Sequence, residues 1–335
     1  MAVWLSEAEF VLCQRGDSVR TATILMFGDV NLGRQVGQGL LKGTMKDPFA
    51  RMKPVLQRAD CVFANLESPI SDQNGETESP TSNYVFCAPP VAAKALKLAG
   101  VTIVSTANNH ALDYSLQGLC ETLLHLDNAG VRHVGTSADS VRRVPPAILT
   151  CKGMTVGFLA YTQSVNEAGP WKGRLAVFDS IGAARDITRL KRKVDFVVVS
   201  FHGGIEYADE PDARTRRQLV SLARAGADIV VGHHAHVPQG IDTIGTCVVF
   251  NSLGNFVFNQ AMPWAKRSYG AELKIEKRGN SATLASVRLI PFRAYKQPAM
   301  DLGAPEVDSL VARLRRLSNV RIVPQNDSLF VFLHN

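Results

Sequence analysis

The chain has 335 residues, 46% of them hydrophobic and 20% charged, so it is long enough to bury a large core and too apolar to be a disordered segment. Its formal net charge of +7 favours anionic ligands such as phosphates or carboxylate polymers, without specifying one. Its six cysteines lack both the C-x-x-C spacing of redox or zinc motifs and the density of a disulfide scaffold.

Residues 1–21 are predicted to form an N-terminal extension. The segment MAVWLSEAEFVLCQRGDSVR has glutamates inside its apolar stretch and no basic leader before it, which argues against a signal peptide or membrane anchor. We therefore expect a cytoplasmic protein with no membrane partner. No linker-like change in composition interrupts residues 22–335, so we expect a single domain there, completed by a hairpin, a helix and a strand from about residue 264.

In the first half of this domain, short apolar runs alternate with amphipathic helices, and this alternation predicts a layered α/β fold. The predicted strands lie in ATILMFGDVNLG, CVFANLESPI, VTIVSTANNHALDY and VRHVGTS. The predicted helices are DPFARMKPVLQRA, VAAKALKLAG and SLQGLCETLLHLDNAG, and a glycine ends each of the last two.

The second half continues the pattern, with strands predicted in TVGFLAYT, DFVVVSFHGG, ADIVVGHHAHV and TCVVFNSLGNFVFN. The helices SIGAARDITRLKRKV and DARTRRQLVSLARAG lie between them, and we interpret the basic outer face of the second as solvated surface. A β-hairpin with a Gly-Asn turn is predicted over 269–292, a helix near 305–317 and a strand near 328–333.

The basic residues are dispersed without interleaved aromatics, which argues against nucleic-acid binding.

Five predicted strands end in polar residues that are able to bind ligands. These segments are Gly28-Asp29-Val30-Asn31, Asn65-Leu66-Glu67, Asn108-Asn109-His110, Phe201-His202-Gly203-Gly204 and Gly232-His233-His234-Ala235-His236. Because ligands of α/β folds bind in the crevice at the carboxyl ends of the strands, we expect these side chains to converge on one point.

The residue types at these strand ends suit divalent metal ions. Carboxylate and amide oxygens prefer hard cations, while imidazole suits first-row metals, so the mixed set fits Mn, Fe, Zn or Mg. Glu67 is the candidate for a carboxylate that bridges two ions. Side chains alternate along an extended segment, so an H-x-H pair on a strand would place His234 and His236 on one face and His233 on the other.

Several further residues have both a functional and an ordinary interpretation. Arg34 either binds an acidic substrate group or forms a structural ion pair, and Glu206 either touches substrate or is solvated. Asp113 either orients His110 or caps a helix. The segment 252–255, which ends in Asn255, either supplies N–H groups to an anion or makes a turn. The remaining histidines, namely His125, His133 and His334, are predicted to be surface or packing residues.

Six of these segments together resemble a known family. GDVNLGR, ANLESPI, ANNHALDYSLQG, VVVSFHGGIEY, GADIVVGHHAHVPQGI and VVFNSLGNFVFN look like the successive motifs of the CapA family of capsule-synthesis proteins, in order across residues 22–260. That family is associated with poly-γ-glutamate synthesis and is related in fold to calcineurin-like metallophosphoesterases. The resemblance implies an α/β/β/α sandwich, with two central sheets flanked by helices.

The resemblance also implies a set of metal ligands. Asp29 and His236 would hold one ion, while Asn109, His202 and His234 would hold a second, with Glu67 as the bridge. His110 would act as general acid or would stabilise the developing oxyanion, assisted by Asn108 and Asp113. The substrate-binding candidates are Arg34, Asn65, Glu206 and Asn255. Asn65 and Asn108 would either hold the metal ligands in place or bind substrate. One or two divalent ions per chain are expected.

Three departures from the metallophosphoesterase pattern bear on activity. Asn31 stands where the Asp-x-His motif has its histidine, which implies that one metal site is weak or empty. The bridging position carries Glu67 instead of aspartate. His202-Gly203-Gly204 replaces a frequent His-Trp-Gly, which implies a more open pocket.

The first functional hypothesis is a metal-dependent hydrolase that acts on a small or polymeric acidic substrate, through a phosphoester or a γ-glutamyl-like amide. The second is an accessory or ligating factor in the synthesis of a poly-γ-glutamate-like or other acidic product. The third is a non-catalytic protein that binds metal or anions. Each hypothesis is compatible with a homo-oligomer.

Overall fold

The computed structural model describes residues 19–167, 171–325 and 328–333. Most of the predicted N-terminal extension, together with His334, lies outside the described residues. None of the helices within these ranges is long and apolar enough to cross a bilayer.

The described residues form seventeen strands and seven α-helices. The strands are β1 (Arg20–Val30), β2 (Cys61–Leu66), β3 (Glu78–Ser79), β4 (Ser82–Phe86), β5 (Ile103–Ser105), β6 (Arg132–Val134), β7 (Ala147–Cys151), β8 (Met154–Thr162), β9 (Phe196–His202), β10 (Ile229–His233), β11 (Ile241–Ile244), β12 (Cys247–Phe250), β13 (Asn255–Val257), β14 (Arg267–Arg278), β15 (Ser281–Arg293), β16 (Arg321–Gln325) and β17 (Ser328–Phe332). The helices are α1 (Arg34–Leu41), α2 (Lys53–Leu56), α3 (Val91–Ala99), α4 (Ser115–Ala129), α5 (Ser180–Lys191), α6 (Ala213–Arg224) and α7 (Ala304–Leu317).

Two large sheets make up the centre of the fold. The nine-stranded sheet runs in the order β16-β17-β15-β14-β1-β2-β5-β6, and β13 pairs with β1 outside this path. The six-stranded sheet runs β11-β12-β10-β9-β8-β7. β1, β2, β5 and β6 are parallel in the first sheet, as are β8, β9, β10 and β12 in the second. Parallel pairing brings the carboxyl ends of neighbouring strands to one edge of each sheet.

Alternation of side chains along the strands separates the core into layers. In β1, Met26 faces the core between the two sheets, whereas Phe27 faces the outer layer that contains α1, α2 and α3. In β9, Val198 faces the same central core, whereas Val199 packs with α5 and α6. The predicted α/β/β/α sandwich is therefore confirmed, and α7 adds Leu310 to the central core.

Most predicted elements are present, and the main error concerns residues 47–59. That segment was predicted to be one helix, but only the four-residue α2 forms within it. Pro48 and Pro54 each lack a backbone N–H, and the Asp47 side chain accepts a hydrogen bond from the Phe49 N–H at 2.9 Å, which favours turns. Sequence periodicity also missed α1 and the short strands β3, β4, β7, β11 and β16.

Candidate metal centre

The six predicted metal ligands lie at one edge of the sandwich, where strands of both sheets end. Asp29 is in β1, Glu67 directly follows β2 and Asn109 follows β5, all in the nine-stranded sheet. The histidines come from the six-stranded sheet, with His202 closing β9 and His234 and His236 following β10. Five of the six side chains belong to residues at most 5% exposed, and His234 is half-buried.

These residues form two groups that share Glu67. Glu67, His202 and His234 make one group, and Asp29, Glu67 and His236 make the other. Within each group, one ligand atom from each residue lies within 4.8 Å of the others. Glu67 Oε1 is 3.6 Å from His202 Nε2 and 3.7 Å from His236 Nε2, and neither Glu67 oxygen has a hydrogen-bond partner among the described residues.

Asn109 joins the first group through His202. Its Oδ1 lies 2.7 Å from His202 Nε2, and the same ring nitrogen is 3.1 Å from His234 Nδ1. An amide oxygen, two imidazole nitrogens and a carboxylate therefore point at a common space. Such a donor set suits first-row divalent metals.

Asp29 is held in place by donors from several directions. Its Oδ1 accepts a hydrogen bond from Asn65 Nδ2 at 2.9 Å and lies 3.2 Å from His233 Nδ1. Its Oδ2 accepts from the backbone N–H of His234 and lies 3.2 Å from His236 Nδ1. Burial by itself would raise the pKa of this carboxyl, but His233 and His236 hold the pKa well below its usual range.

His233 is a contact that the sequence prediction left out. The prediction assumed an extended H-x-H segment, which would point His233 away from the ligands. In the structure β10 ends at His233, and the next histidines have positive φ angles, 89° at His234 and 57° at His236. The period-two argument was therefore wrong for this segment, because the backbone turns sharply where it delivers the ligands.

His110 and Asp113 form a pair beside the two groups. His110 Nδ1 is 2.8 Å from Asp113 Oδ2, while His110 Nε2 is 4.0 Å from Glu67 Oε1. The Asp113 carboxylate also accepts from the Phe86 N–H at 2.8 Å, and α4 begins two residues later without an Asp113 cap. The orienting interpretation of Asp113 fits these contacts better than the helix cap.

Asn108 and Asn166 hold the loop that carries Asn109 and His110. Asn108 Nδ2 donates to the Leu66 carbonyl at 2.7 Å, and Asn108 Oδ1 accepts from the His110 N–H at 3.1 Å. Asn166 Oδ1 accepts from Asn109 Nδ2 at 3.1 Å. Asn166 was not predicted, and no strand-end motif surrounds it that would have signalled its role.

Two residues that were predicted to bind substrate, Asn65 and Asn255, contact the candidate metal ligands instead. Asn65 is fully buried and contacts Asp29, and its Nδ2 is also 3.2 Å from His202 Nδ1. Asn255 Oδ1 lies 2.9 Å from His236 Nδ1, and its Nδ2 donates to the Ala265 carbonyl at 3.0 Å. Both side chains thus contact candidate ligands. In the 252–255 segment the Ser252 hydroxyl accepts from the Gly254 N–H at 3.2 Å, which favours the turn interpretation.

The other two substrate candidates are closer to solvent. Arg34 donates to the Asn83 carbonyl, lies 3.6 Å from Glu78 and stacks over the Phe86 ring, so it is anchored to the β3–β4 hairpin. Glu206 is exposed, yet it contributes to the raised pKa of Glu67. His125 and His133 contact none of the six candidate ligands among the described residues, and His133 faces Asp127 at 3.3 Å.

Burial determines the protonation of the centre. It raises the pKa of Glu67, and the nearby carboxylate of Asp29 raises it further. Burial, followed by the neighbouring His234, lowers the pKa of His202 well below its usual range. Burial and the adjacent His236 lower the pKa of His234 to about 4. Neutral imidazoles have a free lone pair, so these histidines are ready to bind a cation at neutral pH.

The sequence has clear relatives. The profile of the family described as "Bacterial capsule synthesis protein" matches residues 23–260. The "Capsule biosynthesis protein CapA" of Bacillus anthracis is 30% identical, with the match covering 85% of this chain and 71% of the relative. The "PGA biosynthesis protein CapA" of Bacillus subtilis is 29% identical over 83% of this chain and 73% of the relative. A "probable polyglutamine synthesis accessory protein" of Mycobacterium tuberculosis is 26% identical over 92% of this chain and 94% of its own length.

Among solved structures, a calcineurin-like phosphoesterase of Bacillus subtilis superposes with a TM-score of 0.49 at 16% identity. The superposition covers 89% of this chain and 98% of that structure.

Proposed function

We propose that this chain, which belongs to the bacterial capsule synthesis protein family, is a metal-dependent hydrolase acting on an acidic phosphoester or γ-glutamyl-like amide. The observation that carries the proposal is the pair of ligand groups that meet at Glu67. A fully buried carboxylate without hydrogen-bond partners is costly, and a cation between it and the histidines would compensate both of its oxygens. The mixed oxygen and nitrogen donors fit Mn, Fe or Zn, and Mg less well.

The residues beside the metal groups fit an acid–base role. Divalent ions bound here would polarise the scissile group and lower the pKa of water. His110 Nε2 faces the shared carboxylate, and Asp113 contacts the other ring nitrogen. These contacts support the proposal that His110 gives a proton to a leaving group. Burial of the surrounding side chains keeps bulk water from competing for these contacts.

Substrate recognition is proposed for the exposed side of the centre. Arg34 brings a positive charge to this side, and its present partner is the exposed carboxylate of Glu78 at 3.6 Å, which an acidic substrate group would replace. The ring of Tyr207, which is 37% exposed, lies 6.1 Å from that of His236. An acidic substrate entering past these side chains would reach His110 and the shared carboxylate together.

Metal reconstitution combined with a substrate panel tests the proposal. The purified protein is stripped with a chelator, reloaded separately with Mn, Fe, Zn or Mg, and assayed on phosphoesters and on γ-glutamyl amides. The expected result is metal-dependent turnover of one substrate class, which His234→Ala abolishes together with metal binding. The matched control is His125→Ala, which should retain both. Failure of every metal to bind would refute the proposal.

The second candidate function is an accessory or ligating role, and it is supported by one departure from the metallophosphoesterase pattern. Asn31 occupies the position of a metal-binding histidine, and its Oδ1 accepts from the Gly33 N–H at 2.8 Å, so it is turned to the local backbone. The group that contains Asp29 then has fewer strong ligands than a dinuclear hydrolase normally uses. Metal binding without turnover of any panel member would favour this role, which the name of the mycobacterial relative also suggests.

A further inference from the structure

A cleft of about 470 Å³ lies between residues 142–146 and helix α5, in the outer layer of the six-stranded sheet. Five of its lining side chains are cationic, namely Arg142, Arg143, Arg185, Arg189 and Lys193. No hydrogen bond or ion pair within the described parts of the chain joins these residues to the candidate metal ligands. The cleft is therefore a separate feature from the metal centre.

The positive charge of the cleft is largely uncompensated. Its one lining carboxylate, Asp186, accepts from Arg143 Nε at 2.7 Å and from the Tyr161 hydroxyl at 3.2 Å. The four other cations form no ion pair with any residue that the structure describes. Arg185 and Arg189 also lie one helical turn apart, where like charges destabilise a helix. A bound anion would relieve this repulsion.

Helix electrostatics explain part of this arrangement. Cations in the last turn of a helix interact favourably with its dipole, which accounts for Arg189 and for Lys193 just beyond the end of α5. This effect does not account for Arg185, which lies in the middle of the helix, or for Arg142, which comes from a different segment. Two separate segments thus supply charge to one concave surface.

The charged surface continues beyond the cleft. Arg185 and Arg189 also line an adjoining hollow of about 540 Å³, together with Arg192. A third hollow of about 820 Å³ runs between α5 and α6 and is lined by Arg216, Arg217 and Arg224. Arg216 is paired with Glu210 at 3.0 Å and with Asp242 at 3.7 Å, whereas Arg217 and Arg224 form no ion pair with the described residues. We call the three together the cationic track. Three adjoining hollows that share lining residues suit a linear ligand better than a single small anion.

We propose that the cationic track binds a linear polycarboxylate, an acidic polymer that carries carboxylates at intervals along a flexible chain. Arginine forks pair with carboxylates through two parallel hydrogen bonds. Val144, Pro145 and Pro146 line the cleft beside the arginines and would contact the methylene groups between carboxylates. The inference rests on the proposed function only in choosing a polycarboxylate over other polyanions. It gives the basic face of α6, first interpreted as solvated surface, a binding role.

Binding of a fluorescent γ-linked glutamate oligomer, followed by anisotropy, tests the inference. The protein is metal-free and in chelator, so that binding is measured whether or not the metal centre hydrolyses anything. Arg185→Glu/Arg189→Glu should weaken binding about tenfold or more. The matched control is Arg58→Glu/Lys94→Glu, which changes the charge equally on the opposite outer layer and should have little effect. Circular dichroism verifies that each variant is folded.

A second variant, Arg142→Gln/Lys193→Gln, removes charge from the cleft without reversing it and should weaken binding in the same direction. Wild-type binding should also weaken as salt is raised from about 50 to about 200 mM. Equal effects of the track variant and the control variant would overturn the inference. So would an absence of binding, or tighter binding of an oligonucleotide of equal charge. If the oligomer binds but the metal-reconstituted protein hydrolyses no substrate of the panel, only the proposed function is refuted.

Discussion

Glu67 combines the features of a metal-bridging side chain in a single residue. It is fully buried, belongs to both ligand groups and has two oxygens without hydrogen-bond partners among the described residues. A buried carboxyl group without partners destabilises a protein by about 1–3 kcal/mol or more. The position of this carboxyl group among three histidines is therefore best explained by a metal ion that the folded protein binds there.

His110 should be needed for turnover but not for metal binding. Its nearest approach to the ligand groups is 4.0 Å, and its ring is fixed by Asp113. Loss of a general acid lowers kcat by about 10²–10⁴-fold, so His110→Gln should show this loss while the bound metal, measured by elemental analysis, stays as in wild type. His125→Gln is the control and should keep full activity. Loss of metal from His110→Gln would instead place His110 among the ligands.

The depressed pKa of His234 should appear in the pH dependence of stability. An unfolded imidazole takes up a proton near pH 6.5, whereas His234 in the folded chain does so only at about 4. The unfolded state therefore binds more protons in this window, and the metal-free protein loses up to about 1.4 kcal/mol per pH unit from this residue as pH falls. Glu67 acts in the opposite direction because its pKa is raised, and this contribution is common to the wild type and a His234 variant.

Urea unfolding in chelator at about pH 7 and about pH 5 measures this effect. His234→Asn should lose less stability than wild type between the two conditions, because it removes the titrating ring. His125→Asn, which keeps His234, should behave like wild type. An unchanged pH dependence in His234→Asn would contradict the pKa assignment.

At the scale of elements, Gly28 allows β1 to reach the turn before β13. A Cβ at Gly28 would lie 1.7 Å from the Gly254 carbonyl oxygen, which accepts the Asp29 N–H at 3.0 Å. Gly28→Ala should therefore destabilise the protein by about 1–3 kcal/mol through overpacking and should displace Asp29. Urea unfolding and metal titration measure the two effects.

Gly303→Ala provides the matched control for this prediction. Gly303 lies at the start of α7, and the nearest atoms to a Cβ there are 3.8 Å away. Glycine caps a helix better than alanine, so Gly303→Ala should lower the stability by about 0.5–1 kcal/mol and should leave the metal affinity unchanged. Equal stability and equal metal affinity of the two variants would show that the close approach of β1 and the turn is unimportant.

The elements themselves could be predicted from sequence wherever periodicity is local and strong. The α3 and α4 helices end at Gly100 and Gly130 as expected, and both glycines have positive φ. The segment after β10 could not be predicted, because apolar residues leading into it favour a continuing strand. Tertiary contacts override that preference, since the His234 N–H donates to Asp29, which is 205 residues away in sequence. Strained backbone of this kind is common at functional sites.

At the scale of the whole molecule, residue patterns predicted a layered α/β fold with ligands at strand ends, but they could not assign strands to sheets. That assignment depends on pairings between distant segments, such as β1 with β14, which leave no local signal. The resemblance to the CapA family supplied the two-sheet arrangement. The contacts of His236 with Asn255 and of Asp29 with His233 could not be predicted from sequence, because each depends on how the two sheets meet.

Because the ligands come from both sheets, a bound metal would cross-link the halves of the sandwich and stabilise the whole molecule. A ligand at about 100 times its Kd adds about 2.7 kcal/mol to the stability of the state that binds it. With an unfolding entropy of about 2.1 cal/mol/K per residue over 335 residues, one ion should raise the Tm by about 4 °C, and two ions by about twice as much.

Differential scanning calorimetry with and without Mn or Zn measures this shift, and Glu67→Gln tests its origin. Glu67 belongs to both ligand groups, so Glu67→Gln should lose the Tm increase for either ion. Its metal affinity should fall by more than the roughly 10–100-fold that follows loss of an outer partner. Glu206→Gln changes charge equally on an exposed residue outside the ligand groups and should retain the increase. If Glu67→Gln were stabilised as much as wild type, the metal would bind elsewhere, and the two sheets would not be joined at this edge by a shared carboxylate.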